Sequence, residues 1–130
     1  MPSERRRPGI DRRVHARVTV DLEVDYKSAD NFLFAYITDI SAMGIFIRTN
    51  NPEAPGTRLN LRFTPPGGET LELLGEVIWI NPLRPGAYES EPGMGVQFVD
   101  MDEHQRARVL HFVKTFAYLN DPREDGRERQ

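Results

Sequence analysis

A mainly β domain, an antiparallel barrel or sandwich finished by one C-terminal α-helix, is what the 130-residue sequence predicts. Three observations carry that expectation. Between residues 18 and 98, apolar residues recur with a period of two in several short runs, as in strands with one buried face. Gly-, Pro-, Asn- and Asp-rich stretches separate those runs, as hairpin turns and loops require. Beyond residue 102 the apolar period becomes that of a helix.

The elements follow in order. Val18, Val20, Leu22, Val24 and Tyr26 alternate with Thr19, Asp21, Glu23 and Asp25, giving a strand with one apolar and one acidic, water-facing side. Ser28-Ala29-Asp30-Asn31 supplies turn chemistry, and a second β-rich run covers residues 32–40. Asp39-Ile40-Ser41-Ala42-Met43-Gly44 interrupts it, and Ile45-Phe46-Ile47-Arg48 resumes as strand. Residues 50–56 read as a loop; Leu59, Leu61 and Phe63 alternate, and Pro65-Pro66-Gly67-Gly68 turns the chain. Residues 71–80 form a long strand, with Val77 and Trp79 expected on one side and Ile78 and Ile80 on the other. A Pro/Gly-rich loop over 81–93 precedes a last alternation at Met94, Val96 and Phe98.

Asp102 followed by Gln105 is the pattern of a capping box, in which each side chain satisfies a free backbone N–H at a helix start. Val109, Phe112, Val113 and Phe116 then form one stripe, which a lone helix must bury, most simply across the barrel. Three segments result: an arginine-rich arm over 1–13, a globular body over 14–119 and a charged tail over 120–130.

Composition narrows the function. The absence of cysteine excludes disulfides, thiolate metal sites and a cysteine nucleophile. No apolar run reaches the roughly 18–20 residues of a membrane-spanning helix, and the basic N-terminus lacks the apolar stretch of a secretory signal. The expectation is a cytoplasmic protein without membrane insertion. The net charge of −3 is uneven: residues 1–20 hold six arginines against Glu4 and Asp11, a local balance of +4 that leaves −7 for the rest. An acidic body with a basic arm argues against general DNA or RNA binding, which uses a broad positive surface, and suits a compact anion held at one place. The same arm also reads as a charged, flexible tail, with Ile10 its one apolar anchor.

Two segments can carry recognition chemistry. At Arg12-Arg13-Val14-His15-Ala16-Arg17 the arm meets the first strand, and a guanidinium fork matches phosphate bidentately or lies flat on a base. Fifteen of the 17 basic residues are arginine, so the choice of Arg over Lys is no signal here. In the second segment, Asp39 can accept hydrogen bonds from an arginine or from a guanine N1–H and amine. Ser41 can donate to phosphate or cap the turn, and Gly44 permits close backbone approach or positive φ. Taken alone, this segment also reads as an ordinary turn between strands.

Together, an RxxxR pair before the first strand and DxSxxG about 22 residues later resemble the PilZ family. Asp11-Arg12-Arg13-x-x-x-Arg17 is close to the family's acidic-RRxxxR opening, and Gly75-Glu76-Val77-Ile78-Trp79 and Gly93-Met94-Gly95-Val96-Gln97-Phe98 look like its later strands. The resemblance covers roughly residues 11–116. It implies a six-stranded antiparallel β-barrel with one C-terminal α-helix that binds the bacterial second messenger cyclic di-GMP. Arg13 and Arg17 would contact phosphate and guanine, and Asp39, Ser41 and Gly44 would receive the other side of the ligand. Arg12 resembles versions that accept an intercalated ligand pair. Trp79 either lines the ligand pocket, as an aromatic on that strand does in some relatives, or packs in the core.

The remaining chemistry is sparse. His15, His104 and His111 lack metal-ligand spacing, and no nucleophile elbow or Gly-rich phosphate loop is visible. The expectation is a receptor without catalytic activity, metal or cofactor, signalling through an unidentified effector protein. A PilZ fold acting only as a protein-interaction module is the alternative; a small barrel binding RNA or single-stranded DNA would show a basic groove that this acidic body lacks.

Overall fold

A computed structural model describes residues 17–84 and 91–119. Arg12, Arg13 and His15, the arm over 1–13, the tail over 120–130 and part of the loop over 81–93 lie outside the described residues.

Among the described residues, six strands, β1 (Val18–Ser28), β2 (Asn31–Ile40), β3 (Gly44–Arg48), β4 (Arg58–Phe63), β5 (Leu71–Asn81) and β6 (Gly93–Val99), precede one helix, α1 (Glu103–Leu119). They close as an antiparallel barrel in the order β1-β2-β3-β6-β5-β4, so the fold is a barrel and not a sandwich. Closure rests on a short seam, where Asp25, Tyr26 and Lys27 of β1 pair with Arg62, Leu61 and Asn60 of β4.

The two-residue alternation places the core. Val18, Val20, Leu22, Val24 and Tyr26 of β1 are all buried, while Thr19, Asp21, Glu23 and Asp25 face water. Ile37, Ile45, Ile47, Leu59, Leu61, Phe63, Val77, Met94 and Val96 fill the same interior. Burying a branched or aromatic side chain of this size contributes about 1.5–3 kcal/mol. Tyr26 brings a phenol into that interior: burial pushes its pKa up, a hydrogen bond with Thr49 opposes the shift, and Glu53 adds to it.

The helix closes the barrel as its stripe predicts. Val109, Phe112 and Val113 are buried in the core, and Phe116 packs against it, edge-on to Phe112 at 4.8 Å. The capping box is present: Gln105 N donates to Asp102 Oδ1 at 2.7 Å, and Asp102 N to Gln105 Oε1 at 2.9 Å. Gln105 Nε2 reaches Glu72 O, and Arg108 donates to Thr70 O and Glu69 O, which fastens α1 to the β4–β5 hairpin.

One sequence expectation fails. Val77 and Trp79 do not share a side: Val77 is fully buried, whereas Trp79 is 48% exposed on the outer face. The cause is a β-bulge. Val77 pairs with Val96 but Trp79 pairs with the next residue of β6, Gly95, so Ile78 is extra and the alternation slips by one.

Candidate functional site

The bulges in β2 and β5 position the site. In β2, Ile37 pairs with Ile47 and Asp39 with Phe46, which leaves Thr38 as the extra residue. Strict alternation from the buried Ile37 would turn Asp39 inward, where an unpaired carboxylate is costly. The extra residue turns it outward instead. The slip at Ile78 does the same for Trp79. Asp39, Phe46, Gly95 and Trp79 are therefore successive partners in one row across β2, β3, β6 and β5. At about 4.8 Å between strands, the row spans about 14 Å of the outer surface.

Arg17 stands at one end of this row. Its Nε donates to Asp39 Oδ1 at 2.6 Å, in a half-exposed pair. The last arginine of RxxxR and the aspartate of DxSxxG, 22 residues apart in sequence, thus meet directly. An exposed pair of this kind adds at most about 1 kcal/mol to stability. Its main effect is to aim a guanidinium and a carboxylate at the same region.

The rest of DxSxxG builds the turn that carries Asp39. Ser41 is buried; its Oγ accepts from Met43 N at 3.1 Å and Gly44 N at 3.3 Å and donates to Gly44 O at 3.4 Å. Ser41 N donates to Gly44 O at 2.8 Å, and Phe98 N to Met43 O at 2.9 Å, which ties the turn to β6. Gly44 is required by close approach, since a Cβ there would overlap the Val96 carbonyl oxygen and press on Gln97 Cα. Ser41 and Gly44 thus have local structural tasks, while Arg17 and Asp39 keep exposed polar atoms.

At the other end of the row, Trp79 stacks on Phe46 with ring centroids 5.4 Å apart and planes 26° apart. Phe46 was not singled out from the sequence. The signal was present in Gly93 and Gly95, two outward positions of β6 without side chains. One row further, Arg48 lies over the Tyr36 ring at 5.5 Å and within 4.0 Å of Glu91 Oε2. A guanidinium, a carboxylate and an aromatic face on one surface suit a planar base with N–H donors joined to an anionic group.

Among the described residues, no group of three or more His, Cys, Asp or Glu side chains could hold a metal, and no helix is long and apolar enough to cross a membrane. A groove of about 620 Å³ lies elsewhere, between the β1–β2 hairpin and β4–β5, and contains neither motif.

Comparison with known proteins agrees with this architecture. Among curated protein sequences none matches. The chain superposes on the Bacillus subtilis inhibitor of motility MotI/DgrA with a TM-score of 0.70 at 18% identity, covering 86% of this chain and 54% of that one. On the PilZ domain of YcgR from Escherichia coli, solved with cyclic di-GMP, the TM-score is 0.66 at 13% identity, covering 89% and 99%. Apo MrkH of K. pneumonia gives 0.68 at 17% identity, covering 88% and 54%. The chain thus spans about half the length of MotI and MrkH and nearly all of the YcgR domain. At these identities the likeness is one of fold. The family itself follows from the sequence, whose residues 11–115 match the PilZ domain model: the chain belongs to the PilZ domain family.

Proposed function

We propose that the protein is a cytoplasmic receptor for cyclic di-GMP, which it binds on the outer face of β2, β3, β6 and β5. The observation that carries this reading is the Arg17–Asp39 ion pair, which joins the two motifs at one end of a row ending in the half-exposed Trp79. Arg13 and Arg17 grip phosphate and guanine, Asp39 accepts from the guanine N1–H and amine, and Trp79 offers a face to a base. Ser41 and Gly44 act by shaping the turn. Arg12 adds a second guanidinium face, so that two stacked ligands bind each chain. Binding clamps the arm over 1–13 onto the barrel and creates a surface for an effector protein.

Charge-assisted hydrogen bonds contribute about 1.5–3 kcal/mol each, and ordering the arm offsets much of the gain. The affinity expected is near micromolar, about −8 kcal/mol. Calorimetric titration with cyclic di-GMP, beside a random oligonucleotide, tests the reading. Heat with the dinucleotide alone, lost in Arg13→Ala and Arg17→Ala at unchanged melting temperature, is the expected result. No heat with cyclic di-GMP would leave a protein-interaction module as the function. A ligand ratio near one in the unmodified protein, or near two in Arg12→Leu, would remove the stacked pair alone.

A further inference from the structure

The outward aromatic of β3, absent from both motifs, occupies an unusual position. Phe46 faces away from the barrel interior, between the inward Ile45 and Ile47, yet it is only 9% exposed. Its cover comes from two sides. Trp79 stacks on it at 5.4 Å, and β6 runs beneath it bare of side chains. A Cβ on Gly93 would overlap the Phe46 ring, and a Cβ on Gly95 would overlap the indole of Trp79 at Nε1. Both rings thus lie close against the backbone of β6, one beside the other.

The consequence for Trp79 is positional. An outward tryptophan on a strand ordinarily samples several rotamers. Here the glycines admit the indole to the sheet surface, and the Phe46 ring blocks its swing toward β3. About half of the Trp79 surface stays open to solvent. A platform of this kind recognises the flat ring of a purine through stacking, and its immobilisation precedes the ligand's arrival.

We infer that Phe46 is a positioning residue of the ligand face: it holds the Trp79 indole on the Gly93–Gly95 floor as a fixed platform for a purine base. The inference rests on the proposed cyclic di-GMP site and assigns to Phe46 a task carried out through Trp79.

Trp79 is the single tryptophan of the chain, so intrinsic fluorescence reports on it alone. The experiment combines time-resolved anisotropy of the ligand-free protein with calorimetric titration of cyclic di-GMP, on the full chain. Phe46→Leu keeps an apolar side chain without a ring and should give faster local depolarisation of Trp79 and about 5- to 10-fold weaker binding. Phe46→Tyr, which restores the ring, should recover both. In a Trp79→Ala background, Phe46→Leu should weaken binding no further, a coupling that general destabilisation does not produce. Unchanged affinity in Phe46→Leu overturns the inference. So does an equal loss with and without Trp79, or slow Trp79 depolarisation in Phe46→Leu. If the unmodified protein gives no heat with cyclic di-GMP, the receptor reading falls first and this one with it; normal binding with uncoupled variants removes the role of Phe46 alone.

Discussion

Among the described residues, two aromatic clusters lie on the outside of this barrel, and they are seated differently. On β2, Phe32 is 77% and Phe34 55% exposed; Lys27 sits 5.2 Å over the Phe32 ring, and Phe34 meets Tyr36 edge-on at 5.4 Å. They border the large groove beside β4 and β5, with the side chains of Asp25, Asn60 and Arg62 around them. On β3 and β5, by contrast, Phe46 and Trp79 stack over two glycines of β6. Exposed area alone would choose the first cluster as the recognition surface. Seating favours the second, because the two glycines of β6 let both rings approach the backbone closely and stack in one orientation, whereas a ring standing among charged neighbours does not gain that constraint.

Substitutions can break this contrast at measurable cost. The largest effect is expected from Gly93→Val, whose branched side chain would enter the space of the Phe46 ring and of the Ile47 carbonyl. Overpacking of this kind costs about 1–3 kcal/mol or more, read as a lower urea midpoint, together with a changed Trp79 emission. Ser41→Ala comes next. It leaves the Met43 and Gly44 amides without their hydroxyl acceptor and should cost about 1–2 kcal/mol by chemical denaturation. On the β2 side, Phe32→Ala should stay within about 0.5 kcal/mol, since its ring is mostly in water. A loss near that of Gly93→Val would show that the two clusters are seated alike.

A last substitution sharpens the comparison between outward aromatics and an inward one. Tyr26 adjoins Lys27 but points into the core, and burial raises its pKa above the ordinary value of about 10. Above pH 10 the unfolded chain releases the phenol proton while the folded one retains it. The folded state then binds more protons, so stability falls as pH rises. Tyr26→Phe should match the unmodified protein in how stability varies with pH below about 9 and flatten the alkaline decline. An identical alkaline decline in both proteins would mean that another group causes it.

Much of this fold was legible because period-two burial is a local signal. β1 reads from its own residues, and the capping box and apolar stripe of α1 need no knowledge of the barrel. Phase was not legible past a bulge. The extra residue at Ile78 is identified only by its pairing with β6, so Trp79 was expected beside Val77 and lies opposite. Asp39 and Arg17 were readable as motif members, but their direct contact depends on β1 and β2 being antiparallel neighbours with Thr19 opposite Asp39. Phe46 was hidden for the same reason, since its partners Gly95 and Trp79 lie 49 and 33 residues further along the chain.

The two bulges have a bearing on how such a barrel tolerates change. An inward residue answers to the core, and an outward one to the surface, so a strand in strict alternation ties both to a single count. Thr38 and Ile78 each reset that count partway along a strand. Removing Ile78 alone would take out only the extra residue, leaving Val77 inward opposite Val96 and Trp79 outward opposite Gly95. A one-residue deletion at either place therefore straightens the strand against its β3 or β6 neighbour and keeps Asp39 beside Phe46 and Trp79 beside Gly95. A deletion between a bulge and the inward residues that follow it would instead move those residues to the surface.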